Sequence, residues 1–384
     1  ACRIPSANHA HMRAAPSPAR TRTKVVAIAE SSPISVKSNA GRTGPIYGGC
    51  DTRLPRVSHG SPSTNAAATL PRPPRELAAR VFSVQGWTDP QRAYEELGGQ
   101  TARQVVRLLP DDWTFAGKRV MDFGSGAGRT LRHFAAEAAR AEFWGVDIDG
   151  PSVEWMRSRI CPPFHAWQTT MYPPLGLEHG TFDLIYAVSV FTHLADNSTP
   201  WLLELHRMLK PDALLIATFM GRWNSRWFTG ADWDENRTGR NILYHNRDWD
   251  SGGPAILMSE WWVREHWGRA FEIVEIAPQF HNFSWAVMRK RDVELTDDDI
   301  DAPSDDPREY AAVVLNVRQL QRELELVAAQ HEQTLDRARA DLEQRVRGLE
   351  LRIRQYESSL SWRLTRPLRG AAGSVRARLG RNAS

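Results

Sequence analysis

The stretch VMDFGSGAGRT, residues 120–130, joins an apolar run, an acid and three glycines. Such a run suits a buried strand, and glycines at its end let the backbone approach a ligand closely. Three kinds of ligand compete for it. A phosphate cradle needs Gly-Lys-Ser/Thr after the glycines, whereas Gly128 is followed by Arg129 and Thr130. A dinucleotide loop needs G-x-G-x-x-G, and the sixth place counted from Gly124 is Arg129, so the third glycine comes one residue early. Asp122 would also repel a pyrophosphate. A ligand that ends in an amino acid reverses this electrostatic argument, because Asp122 can hold its α-ammonium while Gly124, Gly126 and Gly128 admit its neutral part.

These residues need a scaffold, and the periodicity supplies one. Strand-like and helix-like segments alternate: strand 119–124, helix 128–139, strand 142–147, helix 151–159, strands 164–168 and 182–190, helix 198–209, strand 213–219, helix 259–269, and strands 271–277 and 284–290. Alternation of this kind implies a parallel sheet with helices on both faces. Only PQFHNF separates the last two strands, too little for a parallel crossover, so they are expected to pair antiparallel. Upstream, DPQRAYEELGGQTARQVVRLL has helical spacing interrupted by Gly98-Gly99 and reads as two short helices.

VMDFGSGAG resembles the first motif of class I S-adenosylmethionine-dependent methyltransferases, an acid followed by G-x-G-x-G. The later segments fall in an order similar to that family: AEFWGVDID ends in Asp147, 23 residues after Gly124, then come FDLIYAVSVFTHL and LKPDALLIATF. The resemblance spans residues 85–290. It implies an α/β, Rossmann-like, seven-stranded, mostly parallel sheet with an antiparallel last strand, S-adenosylmethionine as cofactor, and methyl transfer as the activity. It also implies Asp122 near the ammonium, with Gly124, Ser125, Gly126 and Gly128 along the methionine and ribose. Asp147 and Ile148 would meet the ribose, with Asp149 a nearby competitor, and Ser189, Val190 and Phe191 would border the methionine side and the methyl group. Many relatives carry Asp or Asn after the third strand to meet the adenine amine. This chain has WQTTMYPPL, so Thr169, Thr170 and Met171 are the expected adenine contacts, with a backbone bond replacing the usual side chain.

A hydroxyl acceptor requires a general base, whereas an amine or carbon acceptor does not. His193, in FTHL after the fourth strand, is either such a base or a helix-start residue tied to backbone. Residues 220–258 are too many for a structureless loop and leave the carboxyl edge of the sheet, where open α/β folds bind substrates. They contain Trp223, Trp227, Trp233 and Trp249 beside Asp232, Asp234, Glu235, His245 and Asp248. Aromatic faces next to carboxylates suit a sugar, and equally the tryptophans could form the core of a small β-hairpin subdomain. Asp232 and His245 are further catalytic candidates. No short metal-ligand motif occurs, and no metal is expected.

The flanks differ in composition. Residues 1–80 hold twelve Lys/Arg against three acids, about +9 of a net +4, so the remainder is acidic and a basic nucleic-acid-binding core is excluded. This Ala/Ser/Pro/Arg-rich extension reads as disordered. With no amphipathic stripe and no initiator Met, it is expected to be an over-extended upstream segment rather than a targeting peptide. Cys2, Cys50 and Cys161 form no paired framework, which suits a reducing compartment. The methyltransferase domain is expected over 81–291 with a lid or acceptor insertion at 220–258, an acidic linker over 292–308, a coiled coil over 309–360 and a basic amphipathic tail over 361–384. Val317, Leu320, Leu324 and Val327, then Leu335, Leu342, Val346, Leu349, Ile353, Tyr356 and Leu360, give heptad stripes with a phase slip near His331. A homodimer or a partner glycosyltransferase is expected there. Six arginines and no acid follow Glu357, which suits an anionic membrane surface. SLSWRLTRPLR also resembles a motif seen after coiled coils in bacterial glycosyltransferases and methyltransferases of cell-surface polysaccharide assembly.

The expected function is therefore O-methylation of a sugar in a surface polysaccharide or glycolipid precursor, in the cytoplasm or at the inner face of the membrane. Alternatives are methylation of a small metabolite or natural product, or a cofactor-binding, non-catalytic scaffold acting through its coiled coil.

Overall fold

A computed structural model describes residues 70–80, 88–365 and 367–368. Five strands run parallel: β1 (Arg119–Phe123), β2 (Glu142–Asp147), β3 (His165–Gln168), β4 (Phe182–Ala187) and β5 (Leu209–Phe219). β8 (Phe271–Phe280) and β9 (Phe283–Lys290) complete the sheet, with β9 antiparallel to both β5 and β8. The order β3-β2-β1-β4-β5-β9-β8 is the Rossmann-like α/β sheet of seven strands with its last strand reversed. β1 shows why both faces must be covered. Its pleat sends Val120 into the core on one side and Met121 into the core on the other.

Two expected helices differ. Residues 89–109 hold one helix, α2 (Pro90–Arg107), started by Asp89, whose carboxylate accepts from the backbone N–H groups of Gln91 and Arg92. Gly98 does not break α2. A Cβ there would lie 2.1 Å from the Arg129 carbonyl oxygen, so the glycine is the place where the cofactor-loop backbone presses against the helix. The expected helix 128–139 is instead two 3-10 turns, Leu131–Phe134 and Glu137–Ala139. Gly128 has a φ of +78°, so no right-handed helix can start through it.

The boundaries also shift. Residues 70–80, assigned to the extension by composition, pack on the domain through α1 (Arg75–Ala78). The buried Arg132 donates to the carbonyls of Leu70 and Pro71, and Ala78 is buried beside Tyr94 and Ala127. Residues 1–69, with Cys2 and Cys50, and most of the basic tail lie outside the described residues. The acidic linker is not free chain, for it carries α7 (Asp297–Asp301). Ile300 is fully buried, Thr199 donates to Asp301 at 2.6 Å, and Arg269 donates to the carbonyls of Asp299, Ile300 and Ala302.

The remaining helices are α3 (Gly150–Arg159), α4 (Ser198–Met208), α5 (Arg222–Thr229), α6 (Glu260–Ala270), α8 (Glu309–Ser358) and α9 (Leu360–Leu364). α8 is one uninterrupted helix of 50 residues, about 75 Å long at 1.5 Å per residue. Its first turns belong to the domain. Glu309 and Ala312 are buried, Glu309 meets His266 Nε2 at 3.1 Å, and Leu320 packs on the main core. Beyond these turns Leu324, Leu335, Leu342, Leu349 and Ile353 are exposed.

Residues 220–258 form α5 and a two-stranded hairpin, β6 (Arg240–Leu243) and β7 (Ala255–Met258). The hairpin has a small core of Met220, Leu243, Ala255 and Leu257, on which Phe228 and Trp233 pack.

Candidate active site

The carboxyl ends of β1, β2 and β4 bring the glycine loop together. Gly124, Gly126 and Gly128 all have positive φ (+82°, +54° and +78°), the left-handed region that only glycine enters without strain. Each meets different surroundings. A Cβ on Gly124 would lie 2.2 Å from Val190 Cγ2, and one on Gly128 would lie 2.8 Å from Ile160 Cδ1. At Gly126 a Cβ would meet nothing within 4 Å, so the loop is open there.

Two carboxylates flank the loop, and they are prepared differently. Asp147, at the end of β2, accepts from the backbone N–H of Gly126 at 2.6 Å and of Asp149 at 2.8 Å. It therefore shapes the loop. Asp149 is taken up elsewhere: it caps α3 by accepting from Ser152 and pairs with Arg80. That leaves Asp147 as the ribose candidate. Asp122 is buried beside the buried Tyr186 hydroxyl. Burial pushes the Asp122 carboxyl up to about 7, Asp147 adds to the rise, and hydrogen bonding from Tyr186 and the charge of Arg129 oppose it. A buried acid at the strand end suits an incoming cation such as an α-ammonium.

β4 ends at Ala187, three residues before the expected end, because Ser189 adopts a φ of +62°. Its N–H donates to Thr218 Oγ1 at 2.7 Å, which holds this uncommon conformation at the strand mouth. Val190 then lies against Gly124, while Phe191 is fully buried against Trp267. Phe191 thus supports the site from behind, and its side chain does not line it. After β3, Thr169 N–H bonds the Asp147 carbonyl, and Thr170 Oγ1 donates to the Tyr172 carbonyl. Met171 is exposed, and its carbonyl accepts from Asn197 and Trp201. Ile148 follows β2, and its carbonyl accepts from Gln168.

The three catalytic candidates separate. His193 Nδ1 is 2.8 Å from the carbonyl of Pro254, in the turn between β6 and β7. A carbonyl only accepts, so Nδ1 carries the proton and Nε2 keeps its lone pair. Burial lowers the His193 pKa, assisted by Arg247, so the ring is neutral near pH 7. His245 Nε2 instead pairs with Asp196 at 2.8 Å, which raises its pKa. Asp232 lies at the surface in an ion pair with Arg226. Among the described residues no group of three or more His, Cys, Asp or Glu is placed to hold a metal ion.

The hairpin is held to this site on both edges. Ile256 N–H donates to the Thr192 carbonyl at 2.9 Å, and the half-buried Arg240 donates to the carbonyls of Leu194 and Ala195. On the outer edge, α8 supplies acceptors that sequence reading missed. Asn316 Oδ1 accepts from Ile242 N–H at 2.8 Å, and the Glu323 carboxylate accepts from Tyr244 and His245 N–H at 2.8 and 3.1 Å. No local signal marks these two among the polar residues of a heptad repeat.

The sheet order is that of the Rossmann-like methyltransferase fold, with the three left-handed glycines and the acids at the ends of β1 and β2 along its carboxyl edge. Residues 121–215 match the family model described as a methyltransferase domain, and S-adenosylmethionine is the cofactor. No curated protein matches the sequence. The chain is similar to an S-adenosylmethionine-dependent methyltransferase of Mesorhizobium loti (14% identity, 49% of this chain and 96% of that one, TM-score 0.35). It is also similar to one of Methanosarcina mazei (15% identity, 50% and 98%, TM-score 0.37). Among the described residues no helix is long and apolar enough to cross a membrane.

Proposed function

We propose that this methyltransferase O-methylates a sugar of a cell-surface polysaccharide or glycolipid precursor, with His193 as general base. The observation that carries the reading is the Pro254 carbonyl on His193 Nδ1, which leaves Nε2 as the acceptor of a proton at the mouth of β4. Bound against Asp122, the glycine loop and Asp147, S-adenosylmethionine supplies a methyl group on a sulfonium sulfur. Nε2 of His193 would take the proton of the acceptor hydroxyl as its oxygen accepts the methyl group. The hairpin covers His193 and limits water there.

A sugar is favoured because Trp223, Trp227 and Trp249 are exposed; of the four tryptophans in 220–258, only Trp233 joins the hairpin core. The exposed apolar stripe of α8 is read as the pairing surface for a second copy or for a glycosyltransferase, and the arginine-rich tail as a peripheral contact with the inner membrane face.

Incubation with methyl-labelled S-adenosylmethionine and fractionated envelope glycans tests the reading, with Asp122→Ala as control. Label is expected in a glycan fraction and in none with the control. Label confined to a small-molecule pool would overturn the sugar assignment. Cofactor binding with no transfer to any acceptor would make the domain a scaffold.

A further inference from the structure

We infer that α5 is a carbohydrate platform holding glycan units beyond the sugar that is methylated. This rests on the proposal that the acceptor is a sugar, and it adds that the acceptor is a chain. An amphipathic helix ordinarily turns its large apolar side chains inward. α5 turns Phe228 inward but also buries Asn224 and Ser225, and it leaves Trp223 and Trp227 62% and 76% exposed. Four residues apart, the two side chains share one helix face, their Cα atoms about 6 Å apart along the axis.

The charges around the rings select the ligand. Arg226 is paired with Asp232, and Arg222 Nη2 is 3.9 Å from Glu235 Oε2. Both arginines of α5 are thus matched by an acid. Glu235 is itself held by the Trp233 indole N–H at 2.6 Å. The face is polar, aromatic and close to neutral. An anionic bilayer needs net positive charge, whereas a polyhydroxylated chain needs rings for its C–H faces and paired donors and acceptors for its hydroxyls.

The platform is also fixed relative to the site. α5 follows the end of β5 after only Met220 and Gly221, and Met220 is bridged to Leu257 of the hairpin. Its far end closes on Gly230, whose φ is +70° and whose N–H returns to the Arg226 carbonyl. Ser225 Oγ donates to the Ala231 carbonyl at 3.1 Å. A chain lying along Trp223 and Trp227 therefore starts beside the carboxyl end of β5, the neighbour of β4 in the sheet.

The test is affinity electrophoresis of the full chain in gels containing soluble neutral glucan, mannan or galactan, with wild type, Trp223→Ala/Trp227→Ala and His193→Ala. Expected is retardation by at least one polysaccharide for wild type and His193→Ala, weakened at least tenfold in the double variant while its S-adenosylmethionine affinity is unchanged. No retardation of wild type, or equal retardation of the double variant, overturns the platform. Binding to phosphatidylglycerol vesicles that disappears in the double variant would make α5 a membrane face and also overturns it. Labelled methyl transfer to a monosaccharide glycoside reports separately on the sugar reading, because that acceptor does not need α5.

Discussion

The glycine loop and the acceptor hairpin share one edge of the sheet, but different means hold them. The loop is secured locally. Its three glycines take up left-handed φ values, Asp147 clamps Gly126, and Val190 fills the space where a Gly124 side chain would stand. The hairpin is secured from a distance. One edge hangs on the carbonyls of residues 192, 194 and 195, and the other on Asn316 and Glu323, more than 70 residues downstream. Shaping the glycine loop is thus a property of short sequence, whereas holding the hairpin requires the start of α8. The helix expected to be a separate coiled coil is, over its first turns, part of the active-site scaffold.

The largest effect should fall on the acceptor side. His193→Ala is expected to lower kcat by about 10²–10⁴-fold with cofactor affinity unchanged, checked by single-turnover transfer and calorimetry. Because burial lowers the His193 pKa, the wild-type rate with S-adenosylmethionine saturating at each pH should stay flat near pH 7 and fall only in acid, as Nε2 is protonated. A profile that still falls in the alanine variant would remove His193 from the chemistry.

On the cofactor side, Gly124→Ala is expected to weaken S-adenosylmethionine binding by about 100-fold, since its Cβ meets Val190 at a φ that costs an L-residue about 1–2 kcal/mol even in open space. Gly117→Ala shares a φ of +72° but meets nothing within 4 Å, so it should reproduce the strain alone and leave binding intact.

Asp122 provides a smaller, pH-dependent test. Its carboxyl is raised to about 7 in the folded chain, so cofactor affinity should rise about tenfold between pH 6 and pH 8 as the carboxylate forms. The stability contribution has the opposite trend. The folded state holds this proton more tightly than the unfolded chain, so stability is lost as pH rises from about 4 to about 7. Asp122→Asn should therefore abolish the affinity change and raise Tm above pH 7, measured by calorimetry at both pH values.

The smallest effect sharpens the comparison most. Glu323→Ala should reduce kcat/KM for the acceptor about fivefold, from the loss of about 1 kcal/mol of hydrogen bonding at an edge that water partly replaces. Cofactor affinity should not change, and Glu323→Gln should recover most of the loss. An equal fall in cofactor affinity would show that the two regions are not separable.

Much of this could be read in advance because the signals were local. The mostly parallel α/β sheet, the reversed last strand, the glycine loop and the acid closing β2 each follow from a contiguous run and its spacing. Errors arose where one segment answers to a remote one. Gly98-Gly99 looked like a helix break because the Arg129 carbonyl that needs the space is 31 residues away. Residues 70–80 and 297–301 looked like free polar chain because their anchors, Arg132, Thr199 and Arg269, belong to other segments.

By itself the sequence determined the α/β pattern and the cofactor-loop motif, since hydrophobic periodicity and positive-φ glycines act within a few residues. Only the tertiary structure decided which histidine keeps a free ring nitrogen, which tryptophans face solvent, and that α8 braces the hairpin. Those outcomes depend on which backbone carbonyls and N–H groups are left unpaired at an edge after folding, and on whichever distant side chains reach them.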